Sequence, residues 1–244
     1  MTFLRSAGLL AATAALALPA ASAAPASAAQ APRVPSMIVG KSAILGGLRT
    51  VTADAATIRV GSRRCAVAAG TPLSVLVARG ISFDVKDFGR CGPQPADSAG
   101  LYVTRIGPDR RGGQAGWVYK VGHRIGTTGA ADPSGPFGTG KRLRTGQPVL
   151  WFWCRQAGRC QRTLEIAAPE RVGQDEPFTI TVRGYDDQGR GRPIRGVTLK
   201  VGTSEFTTDA NGRATVRATA AGRLTLRASK PGLVDAFPQT VTVR

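Results

Sequence analysis

From residue 57 onward, apolar and polar residues alternate in short runs, the period of strands with one buried face. Residues 57–60, 65–68, 81–88 and 101–106 predict four such strands in the first part of the chain. Six more follow at 178–183, 196–201, 204–207, 214–217, 224–228 and 239–243. Turn formers such as Asp186-Asp187-Gln188-Gly189 and Asp209-Ala210-Asn211-Gly212 separate the later runs, which is the spacing of an all-β sandwich. One stretch changes period. Thr71 suits an N-cap, Pro72 the first helical position and Gly80 a left-handed stop, while Leu73, Leu76 and Val77 share one helical face. This predicts a short helix lying across a sheet. Residues 29–56 are rich in Ala, Pro and Gly and read as a lead-in, with Met37-Ile38-Val39 and Ala43-Ile44-Leu45 predicting at most a stray strand.

Residues 116–160 hold every tryptophan of the chain. Two aromatic strands, Gly116-Trp117-Val118-Tyr119-Lys120-Val121-Gly122 and Pro148-Val149-Leu150-Trp151-Phe152-Trp153-Cys154, flank a Gly/Pro-rich loop at 125–140. Strand residues two apart share a face, so Trp117 pairs with Tyr119 and Trp151 with Trp153. Two readings stand side by side. The pairs fill a core against Leu73 and Val77, or they form a ligand-binding platform that stacks on a sugar ring or another flat molecule.

The order strand, short helix after Gly-Thr-Pro, strand, Gly-Trp-Val-Tyr-x-Val-Gly, loop, Gly-x-x-Val-x-Trp resembles the transcobalamin-like C-terminal domain. That family is a small β-rich module of unassigned function in bacterial exported proteins. The positions that carry the likeness are Gly116, Trp117, Tyr119, Val121 and Gly122, then Gly146, Val149 and Trp151. The turn usually written Asn-Gly reads Gly122-His123 here. In transcobalamins the module closes over a corrinoid, so the resemblance implies a corrinoid-type small-molecule binder as one reading. Residues 208–214, with Asn211-Gly212 at their turn, resemble bacterial immunoglobulin-like repeats of surface proteins. The expected fold is therefore mainly β: a transcobalamin-like domain with one short helix at 57–166, then an immunoglobulin-like sandwich at 167–244.

The compartment is legible at the start. Arg5 precedes an apolar run over residues 7–18, Pro19 breaks it, and Ala21-Ser22-Ala23 and Ala26-Ser27-Ala28 offer small-x-small cleavage sites. Residues 1–28 thus read as a secretory signal, too short for a span of about 20 apolar residues. The four cysteines, Cys65, Cys91, Cys154 and Cys160, suit an oxidising space. Three pairings are open, and Cys65–Cys91 with Cys154–Cys160 is favoured because each closes a local loop around a strand. With no C-x-x-C, neither zinc nor thiol redox chemistry is expected.

Charge adds one thing. The formal net charge is +18, spread as single arginines and doublets instead of a basic block. No aromatic-basic nucleic-acid signature accompanies it. Loose retention on anionic wall polymers fits better.

Catalytic candidates are thin. Gly135-Pro136-Phe137-Gly138-Thr139-Gly140-Lys141-Arg142 lacks the Ser/Thr that a phosphate loop uses for magnesium. His123 is the sole histidine and stands near no nucleophile motif. Asp84 with Asp87, or Asp186 with Asp187, would be the carboxylate pair of a wall-polymer hydrolase or lyase, yet they sit at strand edges and turns. Asp209-x-Asn211-Gly212 lacks the later ligands of a calcium loop. The expectation is a secreted or wall-associated, non-catalytic binding or structural protein without cofactor, whose partner is an envelope ligand or protein.

Overall fold

The computed structural model describes residues 30–244; the expected secretory leader lies outside the described residues. Segment 29–56 is no lead-in. It supplies β1 (Arg33–Val39) and β2 (Arg49–Thr52), and β1 lies inside a five-stranded sheet. The reason is burial from both sides: Val34 and Ile38 face one layer while Met37 faces the other, so the run lacks the alternation of a surface strand.

β3 (Ala56–Val60) and β4 (Arg63–Val67) form a hairpin, followed by α1 (Pro72–Ala78). The Thr71 hydroxyl accepts from the Ser74 amide, and the Ser74 hydroxyl in turn accepts from the Thr71 amide. This reciprocal cap supports a helix too short to stand alone. β5 (Phe83–Asp87), β6 (Leu101–Ile106) and β7 (Asp109–Arg110) make a small antiparallel sheet. β8 (Gly116–Val121), β9 (Arg124–Ile125) and β10 (Val149–Cys154) complete the five-stranded sheet, ordered β2-β1-β10-β8-β9 with β1 parallel to β10.

β11 (Thr163–Ala167), β12 (Arg171–Val172), β13 (Pro177–Tyr185), β14 (Gly191–Pro193), β15 (Thr198–Val201), β16 (Ser204–Thr207), β17 (Arg213–Arg217), β18 (Gly222–Ser229) and β19 (Gln239–Val243) build two facing sheets. One has β13 at its centre, paired with β11, β14 and β17; the other runs β12-β19-β18-β15-β16. Phe178, Ile180 and Val182 of β13 meet Leu226, Val241 and Leu199 in their shared core. β11 pairs with β13, so residues 163–166 belong to this second half and not to the first domain.

Residues 31–244 form one compact unit, and β10 explains why. All six of its residues are buried, because Val149, Trp151 and Trp153 face α1 and the small sheets while Leu150, Phe152 and Cys154 face Val234 and Phe237 of the second half. Both disulfides form as expected, Cys65–Cys91 and Cys154–Cys160. No helix among the described residues is long and apolar enough to cross a membrane.

Candidate functional site

The aromatic set goes to the core. Trp117, Tyr119, Trp151 and Trp153 are only 2%, 5%, 1% and 7% exposed, too little for a stacking platform. Register pairs them across the strands: Trp153 opposite Trp117, edge to face at 5.7 Å, and Trp151 opposite Tyr119, tilted at 5.4 Å. Their polar ends are satisfied inside. Trp117 Nε1 donates to Asp109 O, Trp151 Nε1 to Pro72 O, and the Tyr119 hydroxyl to Thr128 O. Burial pushes the Tyr119 hydroxyl's pKa up. The 125–140 loop folds over this face, its Thr128 hydroxyl donating to Gly135 O at 2.7 Å, so the near-phosphate loop is a structured cover.

The other face of the same sheet meets the second half, and there the structure builds a cleft. Lys120 alternates with Tyr119 and Val121 and therefore points toward the second half, where it is fully buried. Its ammonium donates to Asp186 O at 2.8 Å, Tyr185 O at 3.0 Å and the Thr163 hydroxyl at 3.3 Å. Burial brings its pKa down to about 8, with Asp187 and Asp186 opposing the fall. All three of its protons are donated, so the ammonium acts as a clamp and has no lone pair to offer a substrate. Beside it, the Gly122-His123 turn joins β8 to β9 with Gly122 at φ 59°, the hairpin geometry that needs glycine in the first central place.

That turn carries His123 to the seam. Its imidazole stacks on Tyr185 at 3.7 Å with the planes 8° apart, and Nε2 stands 3.3 Å from Glu165 Oε1. Burial, then the Glu165 carboxylate, raises the Tyr185 pKa. Next to this cluster opens a half-open cavity of about 290 Å³. The first half contributes Pro35, Leu48 and Leu150, and the second contributes Leu164, Ile166 and Phe237. His123, Glu165 and Gln239 are polar groups of its lining, and Thr163, held by Lys120, lies on its wall. A largely apolar hollow with a few fixed polar atoms is the usual form of a small-ligand site, although this one is at the small end.

The sequence named His123 but none of its partners, because Glu165 and Tyr185 lie on strands of the other half and no spacing rule links them. Leu48 falls in the segment read as a lead-in.

The candidate carboxylates are engaged in ion pairs and turns. Arg105 hydrogen-bonds Asp84 through two nitrogens and brings its pKa down to about 2. Asp87 accepts from Cys91 and Gly89 amides, which lower its pKa. Asp186 and Asp209 close turns by accepting the amides of Arg190 and Arg213. Among the described residues no cluster of His, Cys, Asp or Glu could hold a metal ion. Comparison of the chain with protein-family models, with curated proteins and with solved structures gives no match.

Proposed function

We propose that the chain is an exported, non-catalytic binding protein of the cell envelope. Its transcobalamin-like and immunoglobulin-like halves would clasp a small apolar ligand, or an apolar group of a partner, in the cleft along their seam. The observation that carries this reading is the cleft's composition. It has leucine, isoleucine, phenylalanine and proline walls, with an imidazole, a carboxylate, the Gln239 amide and the Thr163 hydroxyl held by Lys120 as its polar groups. The second half then does more than space the first, since Leu164, Ile166 and Phe237 are one wall of the site. A corrinoid is much larger than a 290 Å³ hollow, so a smaller guest is favoured. Wall hydrolysis draws no support from Asp84, whose arginine partners favour the ionised form when a general acid needs the opposite.

The test uses a neutral apolar fluorophore, N-phenyl-1-naphthylamine, so that the protein's charge cannot account for binding. Saturable one-to-one binding to the mature protein is expected, weakened by about tenfold or more in Leu48→Asp, which places a charge at an already exposed wall position. Equal binding by both proteins, no saturation, or turnover of peptidoglycan would overturn the reading.

A further inference from the structure

The strongest feature outside the cleft is an aromatic ring left in solvent. Phe88 is 64% exposed, although it directly follows β5, where its chain neighbours are firmly held. The Phe88 amide donates to Gly100 O at 3.1 Å, and the Asp87 carboxylate accepts from both Gly89 and Cys91 amides. Cys91 is tied to β4 through Cys65. A Cβ on Gly100 would stand 2.8 Å from the Gly89 amide nitrogen, so this tight crossing depends on glycine. Phe88 is thus presented on a braced backbone, and little ordering entropy is left for a partner to supply.

Its surroundings are aromatic and cationic. The ring meets Tyr102 edge to face at 6.2 Å, with the planes at 63°. Lys86, opposite Tyr102 in the β5–β6 register, holds its ammonium 4.7 Å from the Phe88 centroid. The Arg111 guanidinium lies 5.6 Å from the Tyr102 centroid. Among the described residues neither cation forms an ion pair with a carboxylate. This shelf belongs to the more basic half: residues 31–162 carry twenty Lys and Arg against six Asp and Glu, and residues 163–244 carry twelve against nine.

We propose that the outer face of the β5–β6 hairpin is a binding shelf for an acidic polysaccharide, taking a sugar ring on Phe88 and its carboxylate on Lys86 and Arg111. The C–H face of a pyranose packs on an aromatic ring, and its acid group supplies the anion that the two cations lack. The angle between the rings decides against single-stranded nucleic acid, whose bases stack on successive platforms. Two rings inclined at 63° break such a stack, whereas adjacent sugars of a glycan are free to turn relative to each other. This rests on the reading that the protein meets envelope polymers, and it lies apart from the cleft.

Polygalacturonate is the probe, with dextran, inorganic polyphosphate and an oligothymidylate as comparisons, at about 0.15 M ionic strength. The native protein should bind polygalacturonate and not dextran. Phe88→Ala, a change at an exposed site, should weaken polygalacturonate binding about tenfold, the loss of one stacking ring, and leave polyphosphate retention unchanged. Lys86→Gln with Arg111→Gln should weaken both. Leu48→Asp should bind polygalacturonate as the native protein does, so shelf and cleft fail separately. No polygalacturonate binding, native-like binding by Phe88→Ala, or tighter binding of the oligothymidylate would each overturn the shelf.

Discussion

The Lys120 ammonium and the Asp187 carboxylate lie 3.9 Å apart across the seam, the lysine with no solvent exposure at all. One comes from the C-terminal end of β8, the other from the turn after β13, and between them they tie the halves together. The Asp187 carboxylate also accepts from the Cys160 amide, while its Oδ1 has no hydrogen-bond partner and faces the lysine alone. Lys120→Met keeps the stem and removes the charge. It leaves a largely buried carboxylate without its counter-charge and takes the lysine's hydrogen bonds from two carbonyls, of which Asp186 O keeps the Gly189 amide. The expected loss is about 3–5 kcal/mol of unfolding free energy in urea titration. In Lys120→Met combined with Asp187→Asn the losses should be less than additive, because the second change removes the orphaned charge.

The same lysine sets a pH dependence. Its folded-state pKa, about 8, lies below the ordinary 10.5, so burial disfavours the charged form. Below pH 8 both states hold the proton and the cost of the buried charge is fully felt. Between 8 and 10.5 the folded protein has released a proton that the unfolded chain still binds, so stability rises with pH by roughly 3 kcal/mol across that window. Tyr119 and Tyr185, whose pKa values are raised by burial, act in the opposite direction above their ordinary value of 10.0, which confines the test to lower pH. Urea titrations from pH 7 to about 9.8 should show the rise in the native protein and a flat profile in Lys120→Met.

Trp151 and Trp153 distinguish core from platform directly. Trp151 is packed against Tyr119 and donates to Pro72 O, while Trp153 is edge-on to Trp117 with the Lys41 ammonium 4.4 Å from its ring. Both sit in the large core cluster. Each change to Ala should therefore cost about 3–5 kcal/mol in thermal or urea unfolding. A variant that melts like the native protein would return its tryptophan to the surface.

Much of this architecture was legible in residue spacing. The strands of the second half follow the alternation, with Phe178, Ile180 and Val182 inward, because that sandwich has one wet side per sheet. The helix came from its cap, and the shared face of Trp117 and Tyr119 from period two. What stayed hidden has a common cause, namely contact made over long sequence distance. β1 pairs in parallel with β10 across more than a hundred residues, and Pro35 and Ser36 interrupt its apolar run. The other face of β10 gave no sign that Leu150 and Phe152 would meet Val234. His123 was conspicuous as the lone histidine, yet its stack on Tyr185 exists only once the halves dock.

Gly126 shows how closely the cover loop depends on the aromatic layer beneath it. Its amide donates to Tyr119 O at 3.0 Å, directly after β9. The Tyr119 ring lies so close to Gly126 that an added Cβ would overlap Cε2, Cζ and the hydroxyl oxygen. The ring cannot move aside cheaply, since Trp151 packs against it and its hydroxyl is held by Thr128 O. Backbone conformation is not the obstacle, because Gly126 does not have a positive φ. Gly126→Ala should thus cost about 1–3 kcal/mol through overpacking alone. Gly112 is the control: it also lacks a positive φ, and a Cβ there would meet nothing within 4 Å. Gly112→Ala should leave stability unchanged or raise it by about 0.4–1 kcal/mol by restricting the unfolded chain. Parallel melting curves decide the matter. If the two variants melt together, the 125–140 loop is not seated on Tyr119 in solution.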